Sequence, residues 1–246
     1  KLLNIILYFL LMNNMNILFK FNDNLLLVKH NNHQRLITKN LKPGNQLYGE
    51  NIKMINNSEY RTWDPFRSKM SAAILNSNKN LVNSGDNILY LGASTGTTVS
   101  HLSDIVGSTG LIYGIEVAHR VASKFIEKVV KIRNNVIPII IDARYPEKYV
   151  NIFDKVDIVY CDIAQQDQTF IAIKNCLKYL KVNGYLILVI KARSIDVTKN
   201  PKDIFKQEIK KLKDNNFKIM EEINLEPFDR DHMIVYAVNT LSNKSV

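Results

Sequence analysis

Short apolar runs separated by polar breaks mark the first quarter of the chain. The runs ILFKF, NLLLVKH, QRLIT and NIKMI are divided by Asn-rich breaks or by turn sequences such as LKPGN. Such runs between turn residues predict strands of an antiparallel sheet. We therefore expect a small β-rich N-terminal domain over residues 16–62. Asp64-Pro65 then interrupts the pattern of strands, and the stretch that follows, RSKMSAAIL, predicts a helix.

From Asp86 onward the pattern changes to apolar strands that alternate with helices. The strands are NILYL, LIYGIEV, VIPIII, VDIVYCD, GYLILVIK, FKIMEEI and HMIVYAV. Helical spacing links three apolar sets: Val121, Phe125, Val129 and Ile132; Ile173, Leu177 and Leu180; Phe205, Ile209 and Leu212.

Strands that are apolar throughout, with helices between them, predict a mostly parallel sheet covered on both faces. The last two strands lie too close together for a connecting helix, so we expect them to form an antiparallel pair. Seven strands that end this way are the architecture of Rossmann-like class I methyltransferases. The sequence therefore predicts an α/β fold of that type over residues 63–246, joined to the small antiparallel β region.

The first twelve residues, KLLNIILYFLLM, are strongly apolar. They are too few to span a bilayer, and no small-residue cleavage site of a signal peptide follows them. We expect residues 1–15 to be an apolar extension that is either disordered or not native, with Met12 or Met15 as alternative starts. Neither secretion nor a membrane partner is expected.

The 246 residues carry a formal net charge of +10, which suits a polyanion such as RNA or DNA. Enrichment in Lys, Asn and Ile through drift in an AT-rich genome is the alternative explanation of this charge. Cys161 and Cys176 are too few for a disulfide framework, and the five histidines form no metal-binding motif. We therefore expect no metal site.

The most informative stretch is YLGASTGTTVSHLSDIVG, in which an apolar strand ends at a glycine and a helix follows. Its glycines, Gly92 and Gly96, form GxxxG and not the GxGxxG that holds a dinucleotide pyrophosphate. A nucleoside ligand without phosphates fits this turn better. Thr97 and Thr98 begin the helix that follows.

Carboxylates follow three of the predicted strands. Glu116 is placed to accept hydrogen bonds from ribose hydroxyls, Asp142 to meet an adenine amino group, and Asp162 to face the cleft. Each of them could instead be a helix cap or a solvated turn residue. Three acids at the ends of successive strands, beside a glycine turn, also suit a cationic sulfonium. This pattern favours S-adenosyl-L-methionine as the cofactor.

Several stretches closely resemble fibrillarin, the methyltransferase of box C/D ribonucleoproteins. They are LITKNLKPGNQLYGE, EYRTWDPFRSKMSAAIL, YLGASTGTTVSHLSDIVG, IPIIIDARYPEKY, CDIAQQDQT, IKARSIDVT and LEPFDRDH, which span about residues 36–238 in collinear order. The resemblance implies the following cofactor-binding residues: Gly92, Ala93, Thr97, Thr98, Glu116, Val117, Asp142, Ala143, Asp162, Ile163, Ala164 and Gln165.

The resemblance also implies a catalytic set of Lys69, Asp162, Lys191 and His232. The reaction it implies is methyl transfer from S-adenosyl-L-methionine to a ribose 2'-hydroxyl of RNA, without a metal. Asp162 would accept the hydroxyl proton, and Lys191 would stabilise the developing oxyanion. His232 would orient this group, and Lys69 would hold phosphate or share in charge stabilisation.

The partners implied by the resemblance are box C/D guide RNA, ribosomal RNA, a Nop-domain scaffold protein and a small kink-turn-binding protein. The implied location is the nucleus and nucleolus, or the cytoplasm for an archaeal protein. RSIDVTKNP and the short length look archaeal, whereas DARYPEKY and IAQQDQT look eukaryotic.

This sequence departs from the family in three places. The 246 residues contain no stretch like the Gly/Arg-rich tail of eukaryotic members, Gln166 replaces a proline, and Val117-Ala118 replaces Phe-Ser. Three alternative functions stay open at this point: a non-catalytic ribonucleoprotein subunit, an additional histone-glutamine methyltransferase activity, and a nicotinamide-dependent enzyme.

Overall fold

The computed structural model describes residues 16–30 and 33–240. The predicted apolar extension, residues 1–15, lies outside these residues. Two sheets organise the described chain. The first has the antiparallel order β1-β2-β3-β5-β4. Its strands are β1 (Asn16–Asn22), β2 (Leu25–His30), β3 (His33–Lys39), β4 (Ile52–Ile55) and β5 (Ser58–Trp63).

The second sheet has seven strands in the order β11-β12-β10-β9-β6-β7-β8. Its strands are β6 (Ile88–Leu91), β7 (Ile112–Ile115), β8 (Val136–Ile139), β9 (Val156–Cys161), β10 (Leu180–Lys191), β11 (Phe217–Asn224) and β12 (His232–Asn239). Strand β12 runs antiparallel to both β10 and β11, and the other pairs are parallel. The predicted fold class is confirmed.

Six α-helices accompany these strands in the described chain. They are α1 (Lys69–Ser77), α2 (Thr97–Val106), α3 (His119–Phe125), α4 (Gln168–Tyr179), α5 (Ala192–Ile195) and α6 (Pro201–Asp214). Short 3₁₀ turns cover Gly107–Thr109 and Pro146–Tyr149, and a π-helical turn, Ile126–Val130, extends α3. None of the described helices has the length and apolarity to cross a membrane.

The strand order reverses between β6 and β9, which are parallel neighbours. From this pair, β7 and β8 extend the sheet to one side, and β10 and β12 extend it to the other. Loops at the carboxyl ends of the two central strands therefore diverge and leave a crevice, the usual ligand position in such sheets. The glycine turn after β6 and Asp162 after β9 both lie at this crevice.

Two details of the helix prediction were wrong. Helical spacing places Leu177 on one apolar face with Ile173, but Ile173 is buried whereas Leu177 is 52% exposed. Helix α4 instead buries the face of Ala172, Cys176 and Tyr179 against the sheet. Leu180 was assigned to the same helix and is the first residue of β10.

The two sheets share a hydrophobic core. Leu25, Leu36 and Trp63 of the first sheet belong to one buried cluster with Ile88 of β6 and Val99 of α2. A second buried cluster covers the opposite face of the seven-stranded sheet. We keep the division into two domains at residues 62 and 63 as a proposal. The buried cluster that both sheets share holds the two parts together.

A buried ionic network joins the first sheet to helix α2. Arg61 of β5 lies 2.5 Å from Glu50 through Nε and 2.8 Å from Asp104 of α2 through Nη1. Asp104 also pairs with Arg133, and all four side chains are at most 1% exposed. Since a charge buried in protein is costly without a partner, each of these groups depends on the others.

His101 of α2 lies beside this network with both ring nitrogens occupied. Nε2 is 2.5 Å from the Tyr48 hydroxyl and Nδ1 is 2.8 Å from Thr38 Oγ1, while the ring stacks on Trp63. Burial, and then the charges of Arg61 and Arg133, hold the pKa of His101 well below its ordinary value. The imidazole is therefore neutral and serves as a hydrogen-bonding spacer between the first sheet and α2.

Replacing Asp104 tests the energetic weight of this network. Asp104→Ala leaves the Arg61 and Arg133 guanidinium groups buried without their shared counter-charge, so we expect the free energy of unfolding to fall by about 3–5 kcal/mol. Equilibrium urea unfolding measures it. Asp214→Ala is the matched control, because its pair with Lys210 lies on an exposed helix surface and is worth at most about 0.5 kcal/mol. Equal, small losses in both variants would contradict the assigned role.

Candidate active site

A cavity of about 300 Å³ occupies the crevice at the carboxyl ends of β6, β7, β8 and β9. Nine of the predicted cofactor-binding residues line it: Gly92, Glu116, Val117, Asp142, Ala143, Asp162, Ile163, Ala164 and Gln165. Lys191, from the predicted catalytic set, lines it as well. The structure therefore brings together residues from five separate segments that the sequence could only place at strand ends.

Gly92 permits two loops to meet at the head of this cavity. Its φ is +87°, and a Cβ atom at this position would lie 2.8 Å from the Asp162 carbonyl oxygen. A side chain would therefore require both an unfavourable backbone conformation and a shift of the Asp162 loop. The glycine keeps backbone close to the cavity and close to Asp162.

The Glu116 carboxylate is oriented by backbone. Oε2 accepts a hydrogen bond from the Ser94 N–H and Oε1 accepts one from the Ala118 N–H, both at 2.9 Å. Each carboxylate oxygen can accept more than one hydrogen bond, so the group retains acceptor capacity for a pair of hydroxyls. This geometry agrees with the predicted ribose contact.

Asp142 is bound by a neighbour that the sequence did not identify. The Arg144 side chain donates to Oδ2 through Nε at 2.9 Å and through Nη2 at 2.6 Å. These hydrogen bonds hold the pKa of Asp142 below its ordinary value. The carboxylate is therefore ionised at neutral pH, and Arg144 adds a cationic edge to the same cavity wall.

Asp162 lies between two lysine ammonium groups. Lys191 Nζ is 2.7 Å from Oδ1, an ion-pair distance without hydrogen-bond angles, and donates to the Asp162 carbonyl oxygen at 2.9 Å. Lys69 Nζ is 3.4 Å from both carboxylate oxygens. All three side chains are less than a quarter exposed, which strengthens their interaction relative to bulk water.

His232 completes the group through Asp229, a residue that the sequence prediction missed. Nδ1 of His232 lies 2.8 Å from Asp229 Oδ1, and Asp229 Oδ2 lies 4.0 Å from Lys69 Nζ. Residue His232 is also the antiparallel partner of Lys191 in the β10–β12 register. The four predicted catalytic residues thus form one contiguous cluster with Asp229 as the link.

Three predicted cofactor residues do not line the cavity: Ala93, Thr97 and Thr98. Ala93 and Thr98 are buried, and Thr98 Oγ1 lies 2.9 Å from Ser68 Oγ. This contact joins the start of α2 to the residue before Lys69. The same wall instead includes Ser94, Ile115, Ile141, Arg144 and Ile171. Ser94 lies between Gly92 and Gly96, so its position in the glycine turn could have identified it as a lining residue.

Gln168 at the start of α4 connects the two strand ends that carry Asp162 and Lys191. It is fully buried. In the amide orientation that satisfies its neighbours, the side-chain nitrogen donates to the Ile163 carbonyl at 3.0 Å, and the side-chain oxygen accepts from the Lys191 N–H at 3.1 Å. A glutamine in an amphipathic helix gives no sign of this role in the sequence, since only the fold brings its two partners together.

Comparison with known proteins gives a consistent result. The family model described as Fibrillarin matches residues 19–241. The fibrillarin-like rRNA/tRNA 2'-O-methyltransferase of Saccharolobus solfataricus is 50% identical over 204 residues, covering 82% of this chain and 88% of the relative. The protein of the same name from Aeropyrum pernix is 49% identical over 205 residues, covering 83% and 88%.

Solved structures agree. Methanococcus jannaschii fibrillarin, a pre-rRNA processing protein, matches with a TM-score of 0.88 at 40% identity, covering 94% of this chain and all of that one. Aeropyrum pernix fibrillarin with natively bound S-adenosyl-L-methionine matches at 0.82 and 44% identity, covering 91% and 99%. A fibrillarin/Nop5p complex matches at 0.76 and 41% identity, covering 83% and 94%.

The bridging role of Gln168 can be measured directly. Gln168→Met keeps the side-chain length but leaves the Ile163 carbonyl and the Lys191 N–H unpaired, so we expect the free energy of unfolding to fall by about 2–4 kcal/mol. In hydrogen exchange, the Lys191 amide should lose protection. Gln207→Met on the exposed face of α6 is the control and should change neither quantity. An unchanged Lys191 amide in Gln168→Met would show that no such bond exists.

Proposed function

This chain belongs to the fibrillarin family, and on that premise we propose that it is an S-adenosyl-L-methionine-dependent 2'-O-methyltransferase that acts on ribosomal RNA. The observation that carries the proposal is the cluster of Asp162 with Lys69 and Lys191 at the edge of the strand-end cavity. The names of the Saccharolobus and Aeropyrum relatives support the reaction, and the ligand of the Aeropyrum structure supports the cofactor.

The cavity fits this cofactor on its own chemistry. Glu116 offers two carboxylate oxygens to ribose hydroxyls, and the wall of Asp142 and Arg144 offers acceptors and donors to an adenine edge. Gly92 admits close backbone approach, and the carboxylates of Glu116, Asp142 and Asp162 line the cavity that a cationic sulfonium would enter. When bound, the cofactor supplies an electrophilic methyl group.

A ribose hydroxyl is a weak nucleophile at neutral pH, so the chain must assist its deprotonation. Asp162 is the group that accepts the hydroxyl proton, and the Lys191 ammonium stabilises the negative charge that develops on the oxygen. The contact of Lys191 with the Asp162 carbonyl fixes both groups in one orientation. Positioning then contributes much of the acceleration, since methyl transfer requires an in-line approach.

Lys69 and His232 form the outer part of the same cluster. Lys69 lies between Asp162 and Asp229, where a second ammonium group can hold a phosphate or share in charge stabilisation. His232 orients Asp229 through the 2.8 Å contact. The assembled cluster favours catalysis over the non-catalytic subunit that the sequence left as an alternative.

We include a Nop-domain scaffold protein among the partners, supported by the fibrillarin/Nop5p structure. Box C/D guide RNA and a kink-turn-binding protein complete the proposed particle. Guide base pairing would select the target, which agrees with a chain that shows no base-reading motif. The relatives named above are archaeal, which supports the cytoplasmic alternative for location; a nucleolar location stays a prediction.

Glu116 provides a test of cofactor binding. Glu116→Gln removes the charge and replaces one acceptor with a donor, so the Kd for S-adenosyl-L-methionine should rise about 10-fold or more, the loss expected of a charge-assisted hydrogen bond. Isothermal titration calorimetry measures it. Glu127→Gln changes an exposed glutamate on the π-helical turn and should leave the Kd unchanged. Equal affinities for wild type and Glu116→Gln would refute the ribose contact.

Asp162 provides a test of the chemical step. Asp162→Asn keeps the shape of the side chain but cannot accept the proton, so turnover should fall by about 10²–10⁴-fold. Transfer of labelled methyl groups to ribosomal RNA in the reconstituted particle measures turnover, and calorimetry checks that cofactor still binds. Asp167→Asn, an exposed carboxylate five residues away, is the control. Full turnover by Asp162→Asn would remove this residue as the base.

A further inference from the structure

A second cavity of about 420 Å³ lies between the first sheet and the segment that leads into α1. It shares no lining residue with the cofactor cavity. Its walls combine aromatic and cationic side chains: Tyr48, Phe66 and Phe228 with Arg35 and Arg67. We refer to this cavity as the aromatic groove.

The aromatic groove is built on the same loops as the catalytic cluster. Phe66 lies three residues before Lys69, and Phe228 directly precedes Asp229. The two rings pack edge to face with centroids 5.2 Å apart, and Lys69 Nζ lies 4.0 Å from Asp229. A molecule in the groove therefore lies beside the segments that carry Lys69 and Asp229.

The aromatic and cationic groups of the groove are open to a ligand. The Phe66 side chain is 70% exposed, the highest value among the large apolar residues of the described chain. The Arg35 guanidinium has no ion-pair or hydrogen-bond partner among residues 16–30 and 33–240. Arg67 stacks over Tyr48 at 4.5 Å, donates to the Tyr48 carbonyl and is exposed.

The acidic side chains of the groove are already engaged. Glu50 pairs with Arg61 at 2.5 Å and accepts hydrogen bonds from the Leu47 and Tyr48 N–H groups. Asp64 accepts one from the Phe66 N–H. The groove therefore presents an exposed aromatic ring together with two exposed guanidinium groups. Stacking platforms combined with cationic side chains are the chemistry by which proteins hold single-stranded nucleic acid.

We propose that the aromatic groove binds the RNA substrate strand beside the nucleotide that is methylated. Phe66 stacks on one base of that strand, and Arg35 and Arg67 contact its phosphates. This inference rests on the proposed function, because it places the strand next to the sugar that reacts at Asp162. The exposed Phe66 ring and the two exposed guanidinium groups favour RNA over a protein segment, because this combination suits bases and phosphates.

Binding of a fluorescein-labelled ten-nucleotide oligouridylate to the full chain tests the proposal by fluorescence anisotropy. Phe66→Ala should raise the Kd about 10-fold, the loss of one base–aromatic stack, whereas Phe66→Tyr keeps the ring and should retain the wild-type Kd. Arg35→Gln should lower the slope of log K against log salt by about 0.7, the loss of one phosphate contact on a single strand.

Matched controls lie away from the groove. Phe170→Ala removes an exposed ring from α4, and Lys206→Gln removes an exposed charge from α6. Both should bind oligouridylate as wild type does. The proposal is overturned if Phe66→Ala binds within twofold of wild type, if the controls lose as much affinity as the groove variants, or if the wild-type chain does not bind the oligonucleotide.

Failure of this inference can be told apart from failure of the proposed function. A wild-type particle that methylates RNA, together with unchanged oligouridylate affinity in Phe66→Ala and Arg35→Gln, overturns the groove alone. A wild-type particle that binds cofactor but transfers no methyl group to RNA overturns the function and the inference with it. Unchanged S-adenosyl-L-methionine affinity in Phe66→Ala, together with weakened RNA binding, supports both.

Discussion

The candidate active site depends on the contact of one carboxylate with two ammonium groups. Asp162 follows a central strand, Lys191 ends the neighbouring strand and Lys69 begins a helix more than ninety residues earlier in the chain. The charges can converge only because the strand order reverses at β6 and β9, which opens the crevice, and because Gly92 lets the β6 turn approach the Asp162 backbone. Gln168 then fixes the loop that carries the carboxylate to the strand that carries Lys191.

The first sheet contributes to this arrangement from a distance. Its Arg61 reaches into the interior and pairs with Asp104 of α2, the helix that begins at the cofactor turn. Ser68 contacts Thr98 of the same helix, so the segment before Lys69 is tied to α2 as well. Contacts from the first sheet and from the α/β domain thereby fix the position of Lys69 together. The aromatic groove lies at the junction of these two parts.

Local pattern was sufficient for most of the architecture. Each of the seven strands of the α/β sheet could be predicted from an apolar run, and the antiparallel end followed from the short gap between β11 and β12. Strand β5 was missed because SEYRTW is mostly polar, and Arg61 is buried there only through ion pairs that come from other segments. Leu177 shows the opposite error, since helical spacing cannot say which of two apolar stripes meets the sheet.

The residues of the candidate site also fall into those that the sequence could identify and those that only the structure shows. Glu116, Asp142 and Asp162 could be found as acids at strand ends, whereas Lys69, Lys191 and His232 were chosen through the family resemblance and not from residue type. Asp229, Arg144 and Gln168 escaped both routes, because their importance depends on partners that only the folded chain brings within reach.

The central claim is that the crevice holds a sulfonium nucleoside with its methyl group directed at the Asp162–Lys191 pair. A crystal structure of this protein grown with S-adenosyl-L-methionine measures it directly. The account predicts density along the strand-end cavity, with the ribose at Glu116 and the methyl group facing the Asp162 carboxylate. Cofactor density in the aromatic groove, or a methyl group turned away from Asp162 and Lys191, would contradict it.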